Sequence, residues 1–413
     1  MTGPSPQKLD NSAVDAADAA HRASSELGGV DPKVLLAESR QLRGVSLWQD
    51  ASRRLRRSLT ARWSLRLLIG AALLTIVTPI LPLQSPVLQN LKKRQFEPPN
   101  MQAVRLGFSQ WKQDLAELDS RLAEASAADR PALEQKREQL ADSDPFRTLW
   151  HRPGFLTRKM IEMRLAIFGD WCVPSICGCD SLGRDVLARI CWGARVSLVV
   201  GVVASLVSLL IGVSYGATSG YLGGWVDDVM MRIVDILYSI PFIFVVIFLL
   251  TILSEPSIKK TLNEYHIDQM VIFYLVIGAI YWLTMARVVR GQVLSLKNEQ
   301  FIEAARTIGA SRTRIIFRHI VPNVMSVVIV YLTLTIPAVM LFEAFLSFLG
   351  LGVSPPDVSL GLLINEGIQV ITPVKTFAWL IIFPGLALTL TLFALNFLGD
   401  GLRDALDPRL KNR

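Results

Sequence analysis

The chain is short of charge, histidine and cysteine. Asp, Glu, Lys and Arg make up 19% of its 413 residues, below the roughly 25% of soluble domains. With 51% hydrophobic residues and a mean hydropathy of +0.39, a disordered or collagen-like chain is excluded. Four cysteines are too few for a small disulfide scaffold of this length. Only four histidines occur, none in an H-E-x-x-H string, and no G-x-x-x-x-G-K-[ST] string exists to cradle phosphate. Nothing in the sequence sets a nucleophile beside its base. The chain is therefore read as no enzyme, with no catalytic, cofactor-binding or metal residue of its own.

Where charge is missing is more informative than how much is missing. Six runs contain no Asp, Glu, Lys or Arg: 25 residues after Arg66, 31 after Arg195, 19 after Asp235, 18 after Asp268, 24 after Arg318 and 24 after Lys375. A helix needs about 20 mostly apolar residues to cross the hydrocarbon core. One buried helix of a soluble protein can imitate such a run, but six in one chain predict an all-α membrane protein with six transmembrane helices. The first run lies more than sixty residues from Met1 behind a polar leader, unlike a cleaved signal peptide. The 31-residue run is too long for one span, and Gly216 to Gly224 reads as its helix exit and turn.

The formal charge is +8, from 43 basic and 35 acidic residues. In a soluble protein that excess points to nucleic acid; in a membrane protein it reports orientation. Arg53, Arg54, Arg56, Arg57, Arg62 and Arg66 precede helix one, and Arg287, Arg290, Lys297, Arg306, Arg312, Arg314 and Arg318 fill the loop after helix four. The loop after helix three has only Lys259 and Lys260, and that after helix five only Lys375. With six spans, both basic clusters share a side with both termini, and the positive-inside rule makes that side the cytoplasm. The expectation is a multi-pass plasma (inner) membrane protein that binds lipid and no nucleic acid.

The expected organisation is a cytoplasmic tail over 1–63, helix one over 64–85, an extracytoplasmic loop over 86–195, a core of helices two to six over 196–400, and a cytoplasmic tail over 401–413. The core includes a cytoplasmic loop at 287–322. Residues 1–45 are polar and rich in Ala, Ser and Asp, a composition of loose or disordered chain. In the large loop, Trp111, Leu115, Leu118 and Leu122 recur at helical spacing. Ser126 to Pro131 then reads as a turn and new helix start, and Leu133 and Leu140 continue one heptad apart. This predicts a helical hairpin over about 104–141, which either touches a soluble partner or caps the outer surface. Cys172, Cys177, Cys179 and Cys191 lie in the same loop. Outside the membrane a disulfide is allowed, between Cys172 and Cys177 or Cys179, but four cysteines permit three full pairings. Their C-x₄-C-x-C spacing fits zinc poorly.

Within the membrane, Gly212, Gly216, Gly220 and Gly224 recur every four residues. They offer helix two a small-residue stripe for close contact, unless the last two only make the turn. Pro241, Pro337 and Pro384 are positioned to kink helices three, five and six. Arg232 and Asp235, three apart, read as a local ion pair. Glu343 falls some twenty residues into helix five, toward the outer end. Intramembrane carboxylates are functional suspects, which makes Glu343 a candidate gate or pathway residue unless it already reaches the interface.

The cytoplasmic loop after helix four carries Glu303-Ala304-Ala305-Arg306-Thr307-Ile308-Gly309 and, further on, Pro322. Two alanines beside a glutamate let another surface approach closely. Gly309 allows a sharp turn, and Pro322 marks the start of helix five. These features suit either a short helix seated in a partner's socket or an amphipathic segment among lipid headgroups. The spacing E-A-A-x₃-G-x₁₂-P resembles the EAA signature of binding-protein-dependent ABC importer permeases, with His319 and Val321 where Ile and Leu are usual. Phe317 to Asn323 is similar to the dipeptide/oligopeptide branch. So are Gly178-Cys179-Asp180-Ser181-Leu182-Gly183-Arg184-Asp185-Val186-Leu187-Ala188-Arg189, Met231 to Pro241, Glu343 to Pro356, Pro384 to Pro408 and the Trp48 to Arg57 segment. Together these point to the C-type permease. Cys179, Phe345 and Leu360 depart from its pattern at Thr, Ser and Trp. The resemblance covers about 46–83 and 175–410 and leaves most of 86–170 without a counterpart.

The resemblance implies a type I ABC importer permease forming half of a path for di- or oligopeptides. A related solute such as nickel is the alternative, and an ion-coupled secondary transporter a more distant one. It also implies a homologous permease beside this one, two ATPase subunits that bind the ATP, and an extracytoplasmic solute-binding protein. Glu303, Ala304, Ala305, Gly309 and Pro322 would form the ATPase-coupling segment.

Overall fold

The computed structural model describes residues 47–125, 130–142, 145–150, 153–253, 255–264, 269–353 and 355–406. The expected tail over 1–45, the turn at Ser126 to Asp129 and the last residues of the chain lie outside that set. Two units divide at Ser52 and Arg53. The first is described only from Leu47, within helix α1 (Leu47–Arg57).

The described residues from Arg53 onward are mostly helical. Helix α2 (Leu59–Val77) begins where Ser58 Oγ accepts the Ala61 N–H at 3.4 Å. It starts and stops earlier than the expected 64–85. The capping serine fixes the start, and Pro79 and Pro82, which lack an N–H, end the ladder. Between the two residues of β1 (Val104–Arg105) and those of its antiparallel partner β2 (Trp171–Cys172) lie α3 (Phe108–Glu124), α4 (Arg130–Asp142), α5 (Pro145–Trp150) and α6 (Phe155–Phe168). Helices α3 and α4 are joined by Arg137 Nε to Asp119 at 2.5 Å and by Trp111 Nε1, which donates to the Leu140 carbonyl at 3.3 Å. Phe108, Phe146, Leu149, Trp150 and Ile161 form a separate small core for this segment.

Helix α7 (Val186–Leu222) is 37 residues long, about 55 Å at 1.5 Å per residue and well beyond a 30 Å hydrocarbon core. The expected exit at Gly216 is not there. An added Cβ on Gly212 would come within 2.6 Å of Met285 Cβ, one on Gly216 would collide with the Ala286 carbonyl, and one on Gly220 would sit 3.0 Å from the Arg290 carbonyl. Three of the four glycines thus serve close contact with α11 (Gln269–Leu296), and the chain turns only at Gly223 and Gly224, both at positive φ.

Helices α8 (Gly224–Ser239) and α9 (Phe242–Leu253) meet at an 80° bend over Ile240-Pro241. After them come α10 (Pro256–Glu264), α11, α12 (Gln300–Thr307), α13 (Arg312–Arg314), a π-helical turn (Ile315–Ile320), α14 (Val321–Phe348), α15 (Leu360–Gln369) and α16 (Trp379–Leu406). Five helical stretches among the described residues are long and apolar enough to cross a bilayer, and the bent α8–α9 pair makes six if it is one span. The ion pair expected within α8 is replaced by a longer-range one. Asp235 takes Arg287 of α11 at 2.7 Å, and Asp227 takes both Nε and Nη2 of Arg290 at 2.6 Å.

Candidate functional site

The Glu303 to Pro322 segment is a helix, a tight turn and the entry to α14. In α12, Ile302 is fully buried and Ala305 is 8% exposed. Both pack with Val289, Val293, Ile315, Ile316 and Ile320 in the chain's own core. Glu303, Ala304 and Thr307 face outward, and Ile308 is 86% exposed. The two alanines therefore divide the work: Ala305 seats the helix and Ala304 leaves its outer face low. Gly309 at φ +84° makes the turn, a conformation costly for a residue with a Cβ. Ser311 then caps α13, its Oγ accepting the Arg314 N–H at 3.3 Å. The result is a short ridge, anchored from beneath by apolar contacts, with Glu303, Ala304, Thr307 and Ile308 on its free side.

Pro322 sits in the first turn of α14, as its position in the sequence suggests. The helical run extends upstream to Arg312, and the π turn at Ile315–Ile320 precedes the proline. An i→i+5 turn absorbs a residue that cannot donate and whose ring crowds the preceding turn. Arg306 lies over the Tyr221 ring at 5.4 Å and donates to the Lys297 carbonyl, tying the ridge to the ends of α7 and α11.

Glu343 lies about 30 Å further along the same helix, at 1.5 Å per residue. It has no exposed surface, so it does not sit at an interface with solvent. Its Oε1 accepts Ser347 Oγ at 2.7 Å and its Oε2 accepts Ser197 Oγ at 3.1 Å. Ser347 and Ser359 hydroxyls are 3.2 Å apart, and Ser197 Oγ also accepts the Leu360 N–H at 3.3 Å. No ion pair to Glu343 occurs among the described residues. Its surroundings are three hydroxyls and the N-terminal end of α15, where helix partial charge is positive. The structure leaves Glu343 and the ridge at opposite ends of α14.

Three serines that complete the Glu343 site were not singled out from sequence. Ser347, one helical turn on, carried a readable signal; Ser197 and Ser359 carried none. Gly212-Val213-Ser214-Tyr215-Gly216 has G-x-S-x-G spacing. It is no nucleophile elbow, because it lies inside α7 and Ser214 Oγ donates to the Leu210 carbonyl at 2.7 Å.

All four cysteines are free and buried, so the allowed disulfide is not formed. Cys172 Sγ in β2 lies 3.1 Å from Arg164 Nη2, whereas Cys179 Sγ turns to Ser175 and Glu97. Burial pushes the Cys177 and Cys179 thiols up to about 11, which keeps them protonated and poorly nucleophilic. Among the described residues, no group of three or more His, Cys, Asp or Glu could hold a metal.

The sequence has counterparts. The family described as "Binding-protein-dependent transport system inner membrane component" matches residues 208–412, and the "N-terminal TM domain of oligopeptide transport permease C" matches 46–99. The chain is 48% identical over 232 residues to the "Oligopeptide transport system permease protein OppC" of Haemophilus influenzae, covering 56% of this chain and 70% of that protein. It is 50% identical over 232 residues to the protein of the same name in Escherichia coli K12, covering 56% and 72%. It is 46% identical over 234 residues to the "Dipeptide transport system permease protein DppC" of Bacillus subtilis, covering 57% and 68%. Neither matched family segment includes residues 100–207, where the small α3–α6 core lies. A helical membrane chain, with an anchored ridge at one end of a span, at this identity over this share of its relatives, belongs to the binding-protein-dependent transport system inner membrane components, the non-enzymatic permease subunits of ABC transporters.

Proposed function

We propose that this chain forms half of the translocation path of an ABC importer for di- or oligopeptides, with a homologous permease as the other half. Two ATPase subunits dock inside and a solute-binding protein docks outside; ATP is bound by the ATPases. The termini and the α12 ridge face the cytoplasm, in keeping with the arginines before α2 and around α12–α13. The 287–322 segment then transmits ATPase movement, residues 86–195 lie outside, and Glu343, buried within the chain in this structure, acts as a gate or pathway residue near the outer end when the helices shift.

One observation carries the reading: α12 is held from beneath by Ile302 and Ala305 while Glu303 and Ala304 stay exposed. A lever must be rigid toward its own chain and open toward its driver. Ala304→Arg tests this, because it adds bulk on the free side only. The variant is expected to insert and fold normally but to lose its ATPase subunits when the complex is extracted in detergent and purified. Retention of those subunits at wild-type stoichiometry sinks the docking role.

A further inference from the structure

Helix α15 packs between three longer helices and is pinned at both ends. Near its start, the Leu360 N–H reaches Ser197 of α7, and the site of an added Gly361 Cβ lies 2.5 Å from Ala344 Cα of α14. Near its end, a Cβ added to Gly367 would lie 2.7 Å from the Leu380 carbonyl of α16. The last turn also carries Glu366, a poor place for a carboxylate because helix C-termini are partially negative. Its charge is met by two arginines from another part of the chain. Glu366 Oε2 accepts Arg184 Nη2 at 3.1 Å and also Arg189 Nη1, and Oε1 accepts Arg189 Nη2 at 3.1 Å.

Both arginines also hold Asp180. Its Oδ2 accepts Arg184 Nε at 2.7 Å and Arg189 Nη1 at 2.6 Å, while Oδ1 accepts the Leu182 and Arg184 N–H groups at 2.9 Å. The two carboxylates are not equivalent. Asp180 is 6% exposed and fixed by its own loop, whereas Glu366 is 23% exposed; both border one small cavity, with Ser181, Leu363 and Leu380. If α15 moves away, Asp180 still accepts from both guanidinium groups, so neither is left without a partner, and Glu366 passes to water.

We infer that Glu366 is a releasable clasp, which holds α15 to the start of α7 and keeps the path closed on that side until the solute-binding protein docks. The clasp rests on the importer reading and adds two positioning residues to it, Glu366 and Arg184.

The test uses the whole complex in lipid nanodiscs and measures ATP hydrolysis with and without solute-binding protein. Glu366→Gln keeps the shape and removes the charge. Hydrolysis without the binding protein is expected to rise about fivefold, the low end of ordinary coupling between sites, and stimulation by the binding protein to shrink correspondingly. Arg184→Gln, which leaves the Arg189 bonds in place, should shift the same ratio less in the same direction. An unchanged ratio in an assembled Glu366→Gln complex overturns the clasp. Failure of that variant to assemble does so too, since it makes the cluster a fixed strut. If the unaltered chain brings no ATPase subunits with it, the importer reading itself fails, whatever the variants do.

Discussion

The two ends of α14 are built on different physics. At the α12 end, Ile302, Ala305, Ile315, Ile316 and Ile320 close on one another as an apolar seat, and polar groups are left on the outside. At the Glu343 end, a carboxylate, three serines and the start of α15 are buried together by hydrogen bonds. An apolar seat is tolerant of direction and intolerant of volume change. A buried polar network is the reverse: shape changes matter less than leaving one partner unpaired. The first suits a part that must transmit force as a solid body; the second suits a part whose bonds are exchanged.

That contrast is sharpest at neighbouring alanines. Ala305→Arg forces a charge into the apolar seat and is expected to unfold α12 itself, lowering the amount of inserted protein. Ala304→Arg spares the seat and removes only the partner. Ile302→Ala, by deleting a fully buried side chain, should cost about 2–5 kcal/mol. It should be seen as loss of protein in membranes or a lowered melting temperature. Equal behaviour of the Ala304 and Ala305 variants, in yield and in ATPase retention, would erase the distinction between seat and ridge.

At the other end, Glu343→Gln keeps a hydrogen-bonding side chain among Ser197 and Ser347 and removes the charge. The assembled complex should form in normal amount while peptide uptake falls about tenfold, or about 1.4 kcal/mol in the barrier. Glu343→Leu instead strands buried hydroxyls, at about 1–3 kcal/mol for each unpaired group, and should lower yield as well. Uptake kinetics unchanged in the Gln variant would take Glu343 out of the pathway.

Much of the first region was legible in the sequence, and little of the second. The α12 ridge is contiguous: Ile302 and Ala305 are three apart on one helix face, Gly309 follows, and all its parts lie within about twenty residues. The apolar runs gave the spans for the same local reason, although the turn after α7 was placed too early, because glycines used for contact with α11 read like glycines used for a turn. The Glu343 site joins residues 197, 343, 347 and 359, and the Glu366 cluster joins 180, 184, 189 and 366. Nothing local marks a serine in α7 as the partner of a carboxylate in α14. Asp235 showed the same failing, since proximity in sequence favoured Arg232 whereas packing of α8 on α11 delivered Arg287.

The smallest effect on transport lies outside both regions, at Asp185. This residue caps α7, its Oδ2 accepting the Ala188 N–H at 2.7 Å, while Oδ1 has no partner. Burial pushes its carboxyl up to about 6 from 3.8, opposed by the capping bond, by the nearby Ser175 hydroxyl and by Arg94. Because the folded value lies above the unfolded one, the folded chain holds a proton that the unfolded chain has lost between about pH 4 and pH 6. Stability is therefore fullest below pH 4, falls as pH rises through that window and is flat above it, by about 3 kcal/mol in all at about 1.4 kcal/mol per unit. Asp185→Asn keeps the cap and removes the titration. Its melting temperature should exceed that of the unaltered chain by a few degrees at pH 7 and converge with it at pH 4, with transport little altered. A constant difference across that range would show that the cap, and not the buried charge, sets the contribution of Asp185.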